Sequence, residues 1–133
     1  MRAIHHICIQ TNKYEESLKF YKEILGFEII KETKNFHNRD FNTWLQLGSF
    51  MIELQTGKIN EKLNKYNRQS EGIVHFCIYT DSIQDEYNRL KKMGFSNFLS
   101  KNGEDIYNVE NGYLFKITAP EGTIVEIRDT EGI

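Results

Sequence analysis

A chain of 133 residues has room for one compact domain or two small fused halves, and its 39% hydrophobic and 13% aromatic content is enough for a core, which excludes wholesale disorder. A formal charge of −2, a pI near 6.1 and lysines interspersed with acids leave no basic stripe, so no nucleic-acid partner is expected. No apolar run reaches membrane-spanning length, Met1-Arg2-Ala3 leads straight into strand-like sequence without a signal peptide, and two cysteines make no disulfide framework, so the expectation is a cytoplasmic protein with free thiols and no membrane partner.

Residues 3–11 alternate, with Ile7 and Ile9 on one face and His6, Cys8 and Gln10 on the other, which predicts a strand. Asn12 with Glu15 three positions on reads as a capping box, and Tyr14, Leu18, Tyr21 and Leu25 follow at helical spacing until Gly26. That helix is expected to cover the Ile7/Ile9 face and to leave His6 on the opposite side. Residues 27–33 predict a second strand. Residues 34–41 predict a polar loop with two exposed aromatics, Phe36 and Phe41, and with His37 as a loop residue or a substrate contact. Residues 44–48 and 49–56 predict two further strands, with Ile52 and Leu54 on one face and Met51, Glu53 and Gln55 on the other.

Residues 58–71, rich in Lys, Asn, Glu and Gln, predict a linker with room for a short surface helix. The pattern then begins again. His75-Phe76-Cys77-Ile78-Tyr79-Thr80 repeats His6-Ile7-Cys8-Ile9-Gln10-Thr11, Asp81 with Gln84 repeats the cap, Ile83, Tyr87 and Leu90 repeat the stripe, and Gly94 repeats the stop. Strands are expected over 95–99, 112–118 and 123–128, with Pro120-Glu121-Gly122 as the last turn. The chain is thus one domain over 1–133 made of internal repeats 1–57 and 72–133, each β-α-β-β-β. The expected fold class is α+β, two such modules forming a curled mixed sheet around a metal cleft.

His6, Glu53, His75 and Glu126 all fall on the strand faces turned away from the predicted helices, at matched positions in the two repeats. One strand histidine is ordinarily packing and one strand glutamate ordinarily solvated surface; four at matched positions point to a metal site made by duplication. Two imidazoles and two carboxylates suit a borderline divalent ion such as nickel, zinc, cobalt or manganese. His5 is expected to be structural, on the helix side or its margin. Cys8 and Cys77, each two residues beyond a proposed ligand, are small buried residues that need no chemistry. Arg39, Lys116 and Arg128 are the cations available to an anionic substrate, and nothing in the sequence ranks them.

The runs His6-Ile-Cys-Ile, Ser17-Leu-Lys-Phe-Tyr-Lys-Glu-Ile-Leu-Gly-Phe27, Met51-Ile-Glu-Leu, Val74-His-Phe-Cys-Ile and Ala119-Pro-Glu-Gly-Thr-Ile-Val-Glu-Ile together resemble the vicinal oxygen chelate (glyoxalase) superfamily over essentially the whole chain. Within it the set His6, Glu53, His75, Glu126 is similar to that of glyoxalase I (lactoylglutathione lyase). Methylmalonyl-CoA epimerases usually carry Gln at the Glu53 position, dioxygenases and thiol transferases of the fold use His, His, Glu, and bleomycin-binding members lack the metal. The chain departs from glyoxalase I at Gln10 and Gly57, where that enzyme places the Arg and Asn that hold glutathione.

The resemblance implies a lyase or isomerase acting on a small-molecule hemithioacetal or α-hydroxycarbonyl through an enediolate. It implies one divalent ion, nickel or zinc first, held by His6, Glu53, His75 and Glu126, with Glu126 as the catalytic base and a homodimer as the assembly. An epimerase-like, dioxygenase-like or thiol-transferase activity and a non-catalytic small-molecule or antibiotic-binding role are the alternatives it leaves open.

Overall fold

The structure, a computed structural model, describes residues 1–133, which divide into two compact units, Met1–Lys65 and Tyr66–Ile133. In the first unit the alternating sequence forms β1 (His6–Thr11), followed by helix α1 (Tyr14–Lys19) and three strands, β2 (Glu28–Phe36), β3 (Arg39–Leu47) and β4 (Phe50–Thr56). They make a mixed sheet in the order β1-β4-β3-β2, with β1 parallel to β4 and the remaining pairs antiparallel. Ile9, Leu45, Ile52, Leu54, Tyr14, Tyr21 and Phe27 are buried on the helix side of this sheet. Each such aliphatic side chain contributes about 1.5–3 kcal/mol by leaving water.

Three local expectations change. Asn12 does not cap the helix; Thr11 Oγ1 accepts the Lys13 N–H at 2.8 Å and bonds the buried Ser17 hydroxyl at 2.8 Å, so the turn is made one residue earlier. The predicted helix is regular only to Lys19 and widens into a π-helical turn over Phe20–Ile24, with Leu25 N–H donating to Phe20 O at 3.1 Å. Phe20 and Tyr21, three and four residues past the buried Ser17, are both buried on the face that packs on the sheet. Gly26, at φ +79°, ends it.

The loop expected over residues 34–41 is instead the end of a long hairpin. Phe36 pairs with Arg39 across a turn in which His37 and Asn38 have φ of 43° and 62°, the left-handed pair that a two-residue hairpin turn requires. Neither aromatic is fully exposed: Phe41 stacks on Tyr14 at 4.3 Å and Phe36 lies edge-on to His37 at 4.5 Å. Past β4 the linker forms no helix. Ile59 N–H donates to Asn38 O at 2.8 Å and Asn12 Nδ2 to Leu63 O at 3.1 Å, so the segment is strapped onto the first unit in turns.

The second unit repeats the plan with β5 (His75–Tyr79), α2 (Ile83–Lys92), β6 (Tyr107–Val109), β7 (Gly112–Thr118) and β8 (Ile124–Arg128), in the order β5-β8-β7-β6 with β5 parallel to β8. Ser82, not Asp81, caps α2, its hydroxyl accepting the Asp85 N–H at 3.3 Å. Acids in the first turn and Arg89, Lys91 and Lys92 in the last suit the helix dipole.

Residues 95–99 are not a strand of this sheet. They make a single bridge, Phe98 to Ile117, while Phe95 and Phe98 pack with Tyr87 and Phe115 at ring distances of 5.0–5.8 Å. The edge position belongs to β6, joined to β7 through Glu110 and Asn111 at φ 55° and 66°, a turn of the same kind as His37-Asn38. Each helix is also tied down by a tyrosine, α1 to strand β2 and α2 to the loop that precedes β6. Tyr14 donates to Glu32 at 2.5 Å and Tyr87 to Asp105 at 2.7 Å. No helix is long and apolar enough to cross a membrane.

Candidate functional site

Strand alternation delivers the four candidate ligands in two pairs. In the first unit, β1 runs parallel to β4 with Cys8 opposite Glu53, which sets His6 one step along; His6 Nε2 lies 3.5 Å from Glu53 Oε2. In the second unit, Cys77 stands opposite Glu126 in the equivalent register, and His75 Nε2 lies 3.2 Å from Glu126 Oε2. Neither unit by itself gathers three or more His, Cys, Asp or Glu side chains able to hold a metal ion. The structure thus brings His6 to Glu53 and His75 to Glu126.

The pairs fit a divalent ion by donor chemistry and by spacing. Neighbouring ligands on one ion, with bonds of about 2.0–2.2 Å and octahedral or tetrahedral angles, lie about 3.0–3.5 Å apart. The observed separations of 3.5 and 3.2 Å match that spacing. In the first repeat the far nitrogen of the His6 ring is also held. His6 Nδ1 shares a 2.8 Å hydrogen bond with His5 Nδ1, and Trp44 stands edge-on to the His6 ring at 4.8 Å. An imidazole oriented through its other nitrogen is the usual arrangement at a metal. His5 is therefore exposed beside His6, where a helix-side structural role was expected. In the second repeat His75 Nδ1 is buried without a hydrogen-bond partner.

The glutamates differ more. No lysine or arginine pairs with Glu53, whose cross-strand neighbour is Trp44. The cross-strand neighbour of Glu126 is Lys116, with Nζ 3.6 Å from Oε2, and Arg128 Nη1 is 3.6 Å from Oε1. Glu126 is only 5% exposed. The Arg128 side chain passes close to Gly112, where a β-carbon would meet Glu131 O at 2.5 Å and Arg128 Nη2 at 2.9 Å. The structure thus ranks the three cations. Lys116 and Arg128 belong to the Glu126 carboxylate, and Arg39 instead donates to Gln10 Oε1 at 2.7 Å and to Thr56 O at 2.6 Å. Arg128 was legible, since it lies two residues past Glu126 on the same strand face. Lys116 and Trp44 needed the strand register. His37 is a turn residue at the tip of the β2-β3 hairpin.

Cys8 and Cys77 face the carboxylates as expected, but both residues are exposed where buried ones were expected. Desolvation of the sulfur, then Glu53, pushes the Cys8 thiol up to about 11; desolvation, then Glu126, pushes Cys77 up to about 12. Both are protonated at neutral pH, and Cys77 Sγ–H points to Glu126 Oε1 at 3.7 Å. A thiol held protonated is a weak nucleophile. On β6 the Tyr107 phenol is raised by burial first and by the charge of Glu126 second.

The family model of the Glyoxalase/Bleomycin resistance protein/Dioxygenase superfamily matches residues 3–127, and the chain belongs to that family. It is 42% identical over 96 residues to the uncharacterized protein YwkD of Bacillus subtilis (strain 168), an alignment covering 71% of this chain and 73% of that one. The crystal structure of the glyoxalase family protein from Enterococcus faecalis is similar with a TM-score of 0.77 at 21% identity, over 96% of this chain and 97% of that one. The lactoylglutathione lyase from Agrobacterium tumefaciens is similar with a TM-score of 0.68 at 18% identity, over 96% and 93%. At these identities the likeness to the solved structures is one of fold.

Proposed function

We propose that the protein is a divalent-metal-dependent lyase or isomerase of glyoxalase I type that moves a proton between neighbouring carbons of a hemithioacetal or α-hydroxycarbonyl. The observation that carries this reading is the duplicated His–Glu pair, His6 with Glu53 and His75 with Glu126, at ligand spacing in equivalent register. The two pairs act at one ion, nickel or zinc before cobalt or manganese, supplied by one chain or by two copies in a homodimer. When bound, that ion stabilises negative charge developing on the substrate's adjacent oxygens. His6, His75 and Glu53 hold it, with His5 and Trp44 keeping the His6 ring in place. Glu126 takes the carbon-bound proton and returns it to the adjacent carbon, so the reaction needs no oxidant or second substrate. Gln10, already bonded to Arg39, offers no free cation for a glutathione carboxylate at that position.

The test is metal analysis followed by turnover assays on hemithioacetals, acyl-CoA thioesters and catechols. Metal-dependent isomerisation of a hemithioacetal is the expected result; catechol turnover with iron dependence and oxygen consumption would overturn it. The ion pairs of Lys116 and Arg128 with Glu126 favour a second reading, a small-molecule-binding protein of the same fold in which those cations stand where a metal would. Full ligand affinity after rigorous metal removal, with no turnover, identifies that case.

A further inference from the structure

The second unit holds a cavity of about 310 Å³ that neither the ligand pairs nor the proton transfer uses. That is the lower end of the size range of small-molecule sites. Its floor is Thr118 and Ile124, its side is Leu99, and its rim is Tyr66, Asn67 and Arg68. Thr118 and Ile124 are cross-strand partners, two pairs along from Lys116 and Glu126. Directly opposed residues share a face, and so do residues two apart on a strand, about 6.6 Å away. The cavity floor therefore lies on the same face as Glu126, one step down the sheet.

The rim is built, not draped. Gly122, at φ +99°, lets Tyr66 lie flat against the last turn, since a β-carbon there would sit 2.6 Å from Tyr66 Cβ. The Tyr66 hydroxyl donates to Val74 O at 3.1 Å. Asn67 Oδ1 accepts the Gln69 N–H at 2.9 Å and Asn67 O accepts the Ser70 N–H at 3.1 Å, which folds the turn that carries Arg68 and leaves Asn67 Nδ2 as a free donor. Arg68 has no ion-pair partner. It is the only charged residue lining the cavity, whose other walls are a phenol ring, two aliphatic side chains and a hydroxyl.

We propose that this cavity is the subsite for the far end of the substrate and that it selects a short apolar or aromatic stem ending in a carboxylate, bound by the Arg68 guanidinium with Asn67 Nδ2 and the Thr118 hydroxyl beside it. This deepens the proposed function and rests on its placing the reacting carbons at Glu126. A single guanidinium matches a single negative charge in a planar fork, so a carboxylate is preferred to a phosphate monoester. The apolar floor supplies the affinity for the stem, and Arg68 determines which stems are accepted.

The experiment measures binding to the full chain, by calorimetry, of 3-phenylpropionate, 3-phenylpropionamide and phenyl phosphate, with and without a chelator. The acid is expected to bind at least about tenfold more tightly than the amide, independently of the chelator. Arg68→Ala should cost the acid about tenfold and leave the amide unchanged, with Arg68→Lys between. Arg68 is exposed, so these variants fold. Equal affinity for acid and amide, an acid affinity untouched by Arg68→Ala, or a phosphate preferred through Arg68 would overturn the assignment. Binding that is lost with chelator and indifferent to Arg68 places the acid on a metal, which rejects this subsite and leaves the metal reading standing. Loss of the metal reading alone leaves the Arg68-dependent affinities in place.

Discussion

The two repeats share a backbone plan down to the register of single residues, yet they put different chemistry around the same glutamate. Cys8 and Cys77 stand opposite Glu53 and Glu126; His6 and His75 approach those carboxylates at 3.5 and 3.2 Å. One position across from the carboxylate, the first repeat has Trp44 and the second Lys116; two residues further along the strand, Gln55 stands where the second repeat has Arg128. The His6 ring of the first repeat is oriented by His5, while the His75 ring of the second keeps a buried, unpartnered Nδ1. The helix-facing residues of both sheets must stay apolar to fill a core, and the strand order follows from that. The opposite face carries no such constraint beyond the residues that do the chemistry, so its neighbours are free to differ. A glutamate flanked by an indole and an imidazole is suited to hold a cation. One flanked by two cations is anchored from both sides and is suited to a role beyond ligation.

The largest effect should come from removing the two carboxylates in turn. Glu126→Gln is expected to keep most of its metal and lose about 10²–10⁴-fold in turnover. Glu53→Gln is expected to weaken metal binding modestly and to retain measurable turnover when metal is in excess. Rates at saturating metal, with occupancy measured in each sample, decide between them. The reverse pattern inverts the assignment of base and ligand. Retention of full activity by both variants removes these glutamates from the proton transfer altogether.

Next in size is the thermal effect of the metal. An ion that binds the folded chain alone stabilises it by about 2.7 kcal/mol at a free concentration one hundred times its Kd. Wild-type protein should therefore melt several degrees higher with nickel or zinc and return on chelation. The His6→Ala, His75→Ala double variant should ignore both additions. Equal chelator responses in the two proteins would count against the shared centre.

A smaller change tests the asymmetry itself. Lys116 Nζ is 3.6 Å from the Glu126 oxygen that also faces His75, so its charge opposes a divalent ion there. Lys116→Met should tighten divalent metal roughly tenfold, a fraction of the unscreened repulsion because the lysine is partly solvated. Trp44→Met, at the equivalent position, removes no charge and should change affinity less. If Lys116→Met weakens the metal instead, the lysine holds the carboxylate in its ligating position.

The smallest effect is alkaline. Both thiols ionise later in the folded chain than at their ordinary value of 9.0, Cys8 at about 11 and Cys77 at about 12. A raised folded-state value means the unfolded chain releases its protons first, so stability from this source is intact below pH 9 and is lost as pH rises through 11 and then 12. In metal-free protein, Cys77→Ala should flatten that decline more than Cys8→Ala. At fixed pH between 9 and 11, alkylation of Cys8 should run about tenfold faster than that of Cys77. Equal rates would mean that the two carboxylate environments do not differ at the sulfur.

Much of the architecture was legible because periodicity and repetition are properties of the chain itself. The His-x-Cys-Ile-x-Thr motif occurs twice, each time before a helical stripe and a Gly-Phe pair, and this was enough to assign two β-α-β-β-β modules and the faces of His6, Glu53, His75 and Glu126. What failed were features set by contacts distant in sequence or by single-residue turn geometry. The hairpins at His37-Asn38 and Glu110-Asn111 depend on left-handed residues that are not glycine, so both turns were missed. Residues 95–99 have strand-like composition, but their aromatics are claimed by Tyr87 of α2 and Phe115 of β7. Thr11 replaced Asn12 at the start of α1 because a buried hydroxyl partner, Ser17, was in reach. The ion pairs of Glu126 required knowing that Lys116 lies directly across from it, and Arg68 became a candidate only when the chain folded Tyr66 against Gly122. Hydrophobic alternation is imposed locally and can be read locally. Which polar side chain meets which is decided by strand register and turn geometry, and those exist only in the folded chain.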